Sequence, residues 1–212
     1  REFWSIKLKV DRRVLIPRPE TEAVVETARD LVRGTVNSGS EAGPLLADIG
    51  TGSGAIAVAL AGEIAEARVV ATDISEAALE VARANVAAAG LEQRVELARG
   101  DLVAPLKGRG PFDLVVSNPP YLGSGDWREL EPEISRWEPE TALKAGDDGL
   151  ALTARLIDAA PACLGPDGWL VVEVGSGSAR VREMLDGAGW RDLEVTRDLA
   201  GIERVMAARR PL

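Results

Sequence analysis

Short apolar runs alternate with segments of helical hydrophobic spacing through most of the 212-residue chain. The apolar runs have the length and composition of buried strands, and several are followed by a segment in which apolar positions recur every three or four residues. The predicted strands are LLADI (45–49), ARVVATD (67–73), RVELARGD (94–101), FDLVVS (112–117) and GWLVVEVG (168–175). The predicted helices cover 55–64, 75–90, 148–164 and 178–187. This alternation predicts an α/β fold with a doubly wound, mostly parallel sheet.

The two ends of the chain depart from this alternation. FWSIKLKV and RVLI predict a short N-terminal β-hairpin that turns at Asp11-Arg12, followed by a helix over about 20–33. WRDLEVTRD and IERVMAARR predict a C-terminal antiparallel hairpin. GTVNSGSEAG (34–43) has the small, polar composition of a linker. We therefore expect residues 1–33 to pack as a hairpin and helix on a catalytic domain formed by 44–212.

The residue content excludes several classes of chemistry. The chain has no histidine, so it cannot supply a Ser-His-Asp or Cys-His nucleophile system, an HExxH zinc site or a histidine general base. A single cysteine, Cys163, cannot form an internal disulfide or a Cys-rich zinc site, and no bound metal is expected. The apolar, helical surroundings of Cys163 favour an inert core residue.

Charge and hydropathy argue against some binding partners, namely nucleic acid bound through a broad basic face and a membrane. The net charge of −9 argues against a broad basic face for nucleic acid, although it is compatible with a local basic groove. No run of 18 apolar residues is present and no signal peptide is visible, so we expect no membrane span and a cytoplasmic location. Because the chain opens with Arg1 and is strand-like by Phe3, we expect residues to be missing upstream. The oligomeric state cannot be read from the sequence, and a monomer is the working expectation.

A glycine loop follows the first predicted strand of the alternating region. In DIGTGSG (48–54), three glycines allow a tight turn and let a ligand approach the backbone, although a glycine-rich turn with no ligand is the alternative. Asp73 ends the next strand, where an acid accepts hydrogen bonds from ribose hydroxyls. The third glycine comes one position too early for the G-x-G-x-x-G fingerprint of NAD, and no Walker A sequence is present. The loop is more typical of S-adenosylmethionine, and Asp101 would then lie near the adenine.

SNPPY (117–121) follows the strand FDLVVS. A planar nitrogen is a poor nucleophile because its lone pair is delocalised, so its site should accept both N–H hydrogens and aim the lone pair at the methyl group. Asn118 supplies a side-chain acceptor, and the backbone carbonyl of Pro119 can supply another, since prolines restrict the loop. Tyr121 can pack flat against a planar group. A proline-rich turn with no chemical role is the alternative.

These motifs together resemble those of the class I methyltransferases that modify planar nitrogens. Within that class, the chain is similar to the release-factor glutamine N5-methyltransferases, the PrmC/HemK family, over about residues 2–208. The resemblance rests on REFWS (1–5), LIPRPETE (15–22), ADIGTGSGAIAVALA (47–61), TDIS (72–75), SNPPY, EPETAL (138–143), DGL (148–150) and DLAGIERV (198–205). LIPRPETE is the most discriminating segment. The resemblance implies a Rossmann-like, seven-stranded sheet.

The resemblance also implies an activity and a set of site residues. The activity is methyl transfer from S-adenosylmethionine to the glutamine amide in the Gly-Gly-Gln loop of class I peptide chain release factors, with S-adenosylhomocysteine as the product. The implied cofactor-binding residues are Gly50, Thr51, Gly52, Ser53, Gly54, Asp73, Asp101, Leu102, Asn118 and, approaching the methionine part, Thr21. The implied substrate-binding residues are Asn118, Pro119, Pro120 and Tyr121, of which Asn118, Pro119 and Tyr121 would be catalytic. A helix cap is the alternative for Thr21.

The chain departs from the family pattern in three places. Leu102 stands where the family often has an aromatic residue, and Ser178 ends Glu173–Ser178 where the family pattern E-x-G-x-x-Q has Gln. We also expect the family's helical N-terminal domain to be missing from this sequence. Three rivals stay open: an amino-N-methyltransferase of nucleic acid, a ribosomal-protein glutamine methyltransferase, and a binding module without turnover. A partner-binding rim is a further hypothesis for Trp127, Glu131, Trp137 and Glu138, against a packed surface loop.

Overall fold

Nine strands and five helices lie in the part of the chain that the computed structural model describes, residues 1–35, 43–123, 138–139, 142–143, 146–198 and 200–212. The strands are β1 (Glu2–Phe3), β2 (Ile6–Lys7), β3 (Leu45–Ile49), β4 (Arg68–Asp73), β5 (Val95–Arg99), β6 (Phe112–Ser117), β7 (Leu164–Glu173), β8 (Arg191–Arg197) and β9 (Glu203–Arg209). The helices are α1 (Glu22–Thr35), α2 (Ala55–Glu63), α3 (Glu76–Ala88), α4 (Ala151–Ala159) and α5 (Ser178–Gly187). Short 3-10 turns cover Pro19–Thr21, Ala104–Leu106 and Ala160–Ala162.

Seven of the strands form one mixed sheet in the order β5-β4-β3-β6-β7-β9-β8. The pairs from β5 to β7 are parallel, whereas β9 is antiparallel to both β7 and β8. The predicted doubly wound sheet with a C-terminal hairpin is therefore confirmed.

Both faces of the sheet are buried, which explains why the strands are continuous apolar runs. Along β7, Trp169 and Val171 belong to the cluster that includes α1 and α2, while Leu170 and Val172 belong to the cluster that includes α4 and α5. Successive side chains of a strand point to opposite faces, so one run of apolar residues serves two cores.

The direction of winding reverses between β3 and β6. These two strands are parallel neighbours with Ile49 opposite Ser117. The chain leaves β3 through α2 toward β4 on one side, and it leaves β6 through α4 toward β7 on the other. Such a switch point opens a crevice beyond the carboxyl ends of the two strands. The glycine loop and SNPPY are the segments that leave these ends.

The N-terminal hairpin exists, but its predicted position was wrong. Phe3 pairs with Ile6, and the turn is made by Trp4 and Ser5 with φ of 51° and 57°. Two consecutive residues with positive φ match the twist of a two-residue hairpin. The segment RVLI (13–16) is not a strand. Its Val14 is buried with Ala78 and Val81 of α3, so packing on a helix replaces strand pairing.

The predicted helix 148–164 is shorter in the structure, where α4 covers Ala151–Ala159. Gly149 has a φ of 73°, which is outside the helical region, and Pro161 has no N–H to continue the helix. β7 then begins at Leu164, which pairs with Phe112. The half-buried Cys163 thiol donates to the carbonyl of Ala160 at 3.2 Å, and burial raises its pKa to about 11. The thiol is therefore protonated at neutral pH and is not a nucleophile.

Helix α1 packs against α2, β7 and β9 and thus shares a core with the sheet. Of the linker segment 34–43, residues 36–42 lie outside the described ranges. Among the helices that the structure describes, none combines the length and the apolar character needed to cross a membrane.

Candidate active site

A cavity of about 410 Å³ opens at the carboxyl edge of the sheet, at the switch point. Its size suits a nucleoside-sized ligand. The predicted site residues in its wall are Gly50, Gly52, Asp73, Asp101, Leu102, Asn118, Pro119 and Pro120. The wall also contains Val14 and Leu15 from the segment that was predicted to be a strand.

The glycine loop is shaped by backbone conformation and by a close approach of α3. Gly52 and Gly54 have φ of 55° and 81°, which residues with a Cβ rarely adopt. A Cβ on Gly54 would lie 3.2 Å from the Cβ of Ala82, so this glycine also lets α3 pack close to the loop. Gly52 faces the cavity, whereas Gly54 is buried at the start of α2.

Beneath the loop lies Asp48, the buried acid that precedes the glycines in DIGTGSG. Its Oδ2 accepts from Thr51 Oγ1 at 2.6 Å and from the backbone N–H of Ala57 at 3.2 Å. Its Oδ1 finds no hydrogen-bond partner among the described residues. Burial raises the pKa of Asp48 to about 7. In the sequence, this residue stands out as an acid inside the apolar strand LLADI. The hydrogen bonds of Asp48 to Thr51 and Ala57 hold the loop against α2.

Asp73 joins the loop to α3. Its Oδ2 accepts from the backbone N–H of Gly52 at 2.9 Å, and its Oδ1 accepts from the backbone N–H of Ser75 at 2.9 Å. A carboxylate has about four lone-pair positions, so these two bonds leave acceptor capacity for ribose hydroxyls. Ile74, the next residue, lines the same cavity although it is 61% exposed. Sequence reasoning missed this apolar contact, which is suited to the face of a base.

Asp101 and Leu102 lie on the same side of the cavity. Asp101 forms an ion pair with Arg155 of α4, and Leu102 has a φ of 48°. A second cation in the wall, Arg13, pairs with Asp11 and Glu80. Both arginines in the wall are thus already neutralised, which fits a nucleoside cofactor without phosphates better than a dinucleotide.

Asn118 stands at the end of β6, where Ser117 Oγ donates to the carbonyl of Ile49 at 2.8 Å and ties the two strand ends together. The Asn118 side chain donates from Nδ2 to Thr21 Oγ1 at 3.1 Å. A second cavity of about 150 Å³ lies beside the first, and Asn118, Pro119 and Pro120 line both. Residues 118–120 of SNPPY therefore lie in the wall that the larger and the smaller cavity share, together with Leu15 and Ala142.

Tyr121 belongs to the smaller cavity and is absent from the wall of the larger one. Its ring packs over Gly175, where an added Cβ would lie 2.9 Å from the ring. Burial is the main cause that raises the pKa of Tyr121, so the phenol is neutral at physiological pH. The side chain is 39% exposed, which leaves part of the ring free to contact a partner.

The other predicted site residues are buried outside these cavities. Thr51 bonds to Asp48, and the carbonyl of Ser53 accepts from Asn85 Nδ2 at 2.8 Å. Thr21 is 3% exposed and lies behind Asn118. The structure thus places Thr21, Thr51, Ser53 and Gly54 where they support the walls.

Glu138 is buried and accepts from Arg18 Nη2 at 2.7 and 2.9 Å. This bond joins the LIPRPETE and EPETAL segments, and Arg18 also lines the smaller cavity. Trp127, Glu131 and Trp137, the other residues of the hypothetical rim, lie outside the described residues.

Comparison with known proteins decides between the methyltransferase classes. A methyltransferase small domain matches residues 32–129. The chain is 40% identical over 209 residues to a release factor glutamine methyltransferase of Rhodopirellula baltica, with 98% of this chain and 70% of that protein covered. It is 43% identical over 212 residues to a protein of the same name from Bradyrhizobium diazoefficiens, with 99% and 70% covered. The chain belongs to the release factor glutamine methyltransferase family.

Structural similarity agrees with this assignment. The solved structure of a release-factor-specific protein-(glutamine-N5) methyltransferase from Alicyclobacillus acidocaldarius has 27% identity to the chain and a TM-score of 0.55, with 98% of this chain and 100% of that chain covered. The resemblance inferred from LIPRPETE and SNPPY is thereby confirmed.

Proposed function

We propose that the chain transfers the methyl group of S-adenosylmethionine to the side-chain amide nitrogen of a glutamine, in the Gly-Gly-Gln loop of a class I peptide chain release factor. The observation that carries this proposal is that Asn118, Pro119 and Pro120 line both cavities. A methyl donor in the larger cavity and an amide in the smaller one would meet at this wall. The family membership of the chain supports the choice of substrate.

The larger cavity fits the cofactor. We assign its ribose hydroxyls to Asp73, whose carboxylate keeps free lone pairs, and the faces of its adenine to Ile74 and Leu102. Asp101 would lie at the edge of the base. Gly50 and Gly52 let the cofactor approach the backbone. Thr51, Ser53 and Gly54 act from beneath by holding the loop.

The chemistry requires positioning more than acid–base catalysis. When bound, S-adenosylmethionine supplies an electrophilic methyl group that passes from its sulfonium sulfur to the amide nitrogen. Asn118 Oδ1 accepts one N–H of the substrate amide, and the backbone carbonyl of Pro119 accepts the other, so the lone pair points at the larger cavity. Holding reactants in such a geometry contributes up to about 7–11 kcal/mol in favourable cases. The methylated amide is cationic and strongly acidic, so its proton leaves to water and no histidine is needed.

Tyr121 and Arg18 line the smaller cavity and are placed to contact the substrate. We assign Tyr121 to the face of the glutamine amide. Residues 1–33 would act as part of the catalytic unit, because Thr21 and Arg18 reach the site from this segment. We propose that the reaction takes place in the cytoplasm, because the proposed substrate is a translation factor. We also propose that the chain acts as a monomer.

The test uses isotope-labelled S-adenosylmethionine and a purified class I release factor. Wild-type factor is compared with a factor in which the Gly-Gly-Gln glutamine is replaced, and an RNA pool and a ribosomal-protein preparation are incubated in parallel. Label on the wild-type factor alone is the expected result. Label on RNA or on ribosomal protein, with none on the factor, overturns the proposal in favour of that substrate. Cofactor binding without label on any substrate counts in favour of a binding module.

A further inference from the structure

A third cavity, of about 100 Å³, lies where β7 leads into α5, and we call it the β7 cavity. Glu173, the last residue of β7, and the four residues that follow it line this cavity. Tyr121 lines both the β7 cavity and the smaller cavity, so the two adjoin at this residue. The segment Glu173–Ser178 is the one that departs from the family pattern at its last position, and the proposed reaction gives it no role.

Glu173 supplies an unused acceptor at the β7 cavity. The residue is 5% exposed, and its Oε2 has no hydrogen-bond partner among the described residues. Burial raises the pKa of Glu173 to about 7, and a carboxyl group keeps an acceptor oxygen whether or not it is protonated. Because a buried acceptor without a partner is costly, a ligand with an N–H group would be stabilised there.

The start of α5 supplies donors to the same cavity. This helix has ten residues, and its N-cap, Gly177, has no side chain that could accept from the first turn. The first N–H groups of a helix have no partner within the helix. Ser176 and Gly177 both line the cavity, so this helix end lies at its wall. The β7 cavity therefore combines an acceptor with backbone donors.

The charges in the wall disfavour a free ion. Arg180 is ion-paired with Asp148 at 3.0 Å, and both side chains are about half exposed. A bound anion would therefore meet a neutralised cation and the carboxyl group of Glu173. A bound cation would meet the positive end of the helix dipole of α5. A neutral group that carries both an N–H and a C=O, such as a peptide bond, matches the donors and the acceptor together.

The cavity is also small and closely surrounded. A volume of 100 Å³ corresponds to about three water molecules, which is similar to the four heavy atoms of a glycine residue. A Cβ on Gly175 would lie 2.9 Å from the ring of Tyr121, and a Cβ on Gly177 would lie 2.9 Å from Leu150 Cδ2. Leu150 and Thr153, which are 6% and 3% exposed, complete the wall. An additional methyl group on a ligand would therefore have to displace buried atoms.

We propose that the β7 cavity binds the glycine that directly precedes the substrate glutamine, with Glu173 accepting the N–H of that glycine. This inference rests on the proposed function, in which the glutamine side chain occupies the smaller cavity. The substrate main chain then passes Tyr121, where the two cavities adjoin, and places its neighbouring residue in the β7 cavity. The enzyme selects glycine at this position because the cavity has no room for a side chain.

The first test matches an added methyl group with an enlarged cavity. The substrates are a purified class I release factor and a variant of it with alanine in place of this glycine. For wild-type enzyme, kcat/KM for the wild-type factor should exceed that for the alanine factor about 10- to 100-fold. Thr153→Ala removes two heavy atoms from the wall, so the same ratio should fall to about threefold or less.

Thr196→Ala is the matched control for Thr153→Ala. Thr196 lies on β8, bonds to Thr27 Oγ1 at 3.0 Å and lines none of the three cavities, so its variant should keep the wild-type ratio. A wild-type enzyme that methylates both factors equally would overturn the inference. Equal ratios in Thr153→Ala and Thr196→Ala would overturn it as well, because the methyl group would then not enter this cavity.

The second test measures binding and needs no turnover. Calorimetric titration with the wild-type factor, in the presence of S-adenosylhomocysteine, should give a Kd about 10-fold weaker for Glu173→Leu than for wild type. Glu173→Gln, which keeps an acceptor oxygen, should bind the factor more tightly than Glu173→Leu. The Kd for S-adenosylhomocysteine itself should be the same in Glu173→Leu and wild type.

Equal factor affinities of Glu173→Leu and wild type contradict the proposed contact. An equal loss of factor and cofactor affinity also contradicts it, because Glu173 would then act on the cofactor site. If wild-type enzyme binds the factor without labelling it, the proposed function fails, and the Kd values still decide whether Glu173 contacts the factor. No binding of the factor by wild-type enzyme overturns both proposals.

Discussion

Arg18 Nη2 lies 2.7 Å from Glu138 Oε1, although 120 positions separate the two residues. The Glu138 side chain is 3% exposed and that of Arg18 is 33% exposed, so a nearly buried carboxylate is paired with a partly solvated cation. The pair connects the two segments that flank the smaller cavity. Removing the cation would leave a buried charge without its partner, which costs more than an exposed ion pair is worth.

Arg18→Met should therefore lower the free energy of unfolding by about 1–3 kcal/mol, a range reduced because Arg18 is partly exposed. Chemical denaturation of the variant at pH 7 measures this. The double variant Arg18→Met/Glu138→Gln should recover part of the loss, because the unpaired charge is gone. A double variant as unstable as the sum of both single variants would show that the two side chains do not interact.

Asn118→Ala should abolish methyl transfer while sparing cofactor binding. The substitution removes the acceptor that holds the substrate amide but leaves the glycine loop and Asp73 intact. We expect kcat to fall at least about 100-fold, comparable to the loss of a transition-state hydrogen-bonding group elsewhere. Calorimetric titration with S-adenosylmethionine should give a Kd within about threefold of wild type. An equal loss of binding and turnover would place Asn118 primarily in the cofactor site.

Asp73→Ala should have the reverse effect of Asn118→Ala, weakening cofactor binding more than it lowers kcat. Loss of a carboxylate that holds Gly52 and Ser75, and that we assign to the ribose, should weaken cofactor binding about 10- to 100-fold. At saturating cofactor, kcat should change much less than in Asn118→Ala. Asp101→Ala is a suitable comparison, because Asp101 is exposed and paired with Arg155, so its loss should weaken binding less. Equal affinities for the two variants would contradict the assignment of the ribose to Asp73.

Asp48→Asn should change the dependence of stability on pH. Burial raises the pKa of Asp48 from 3.8 to about 7, so the folded state disfavours its ionised form. A group with a raised pKa contributes stability below its unfolded pKa and loses that contribution as the pH rises through its folded pKa. The wild-type free energy of unfolding should therefore fall between about pH 4 and pH 7, by an amount on the order of 4 kcal/mol from this group alone.

Asparagine at position 48 keeps an oxygen acceptor for Thr51 and the Ala57 N–H but does not titrate. Urea denaturation at a series of pH values should show a flatter profile for Asp48→Asn than for wild type. Parallel profiles would mean that Asp48 is not the group that titrates.

Gly54→Ala and Gly62→Ala form a matched pair, one at the N-cap of α2 and one within it. Gly54 has a φ of 81° and its added Cβ would lie 3.2 Å from Ala82, so alanine there should destabilise the fold by about 1–3 kcal/mol. Gly62 is an exposed residue of α2 with nothing within 4 Å of an added Cβ, so alanine should stabilise by about 0.5–1 kcal/mol. Thermal denaturation of both variants measures the difference. Effects of the same sign would contradict the strained geometry of the glycine loop.

The bounds of several elements could be predicted because their signals are local. β3, β6 and α5 have the predicted limits, since each is an apolar or amphipathic segment flanked by glycine, proline or a polar residue. The glycine loop and SNPPY were placed at strand ends for the same reason. Predictions were wrong where a short apolar segment can be buried either by pairing as a strand or by packing on a helix. RVLI is as apolar as a strand, but Val14 packs on α3, and the turn occurs at Trp4 and Ser5 instead.

The sequence by itself determined the class of fold, the family and the residue types at the methyl-transfer site, because these depend on spacing within short segments. Only the tertiary structure decided the partners of those residues. Thr21 and Asn118 are 97 positions apart, and Arg18 and Glu138 are 120 positions apart. Asp48 and Glu173 acquire their raised pKa values from burial, which no local pattern encodes. Contacts between distant segments depend on how the sheet brings its strand ends together, and that arrangement is a property of the folded chain as a whole.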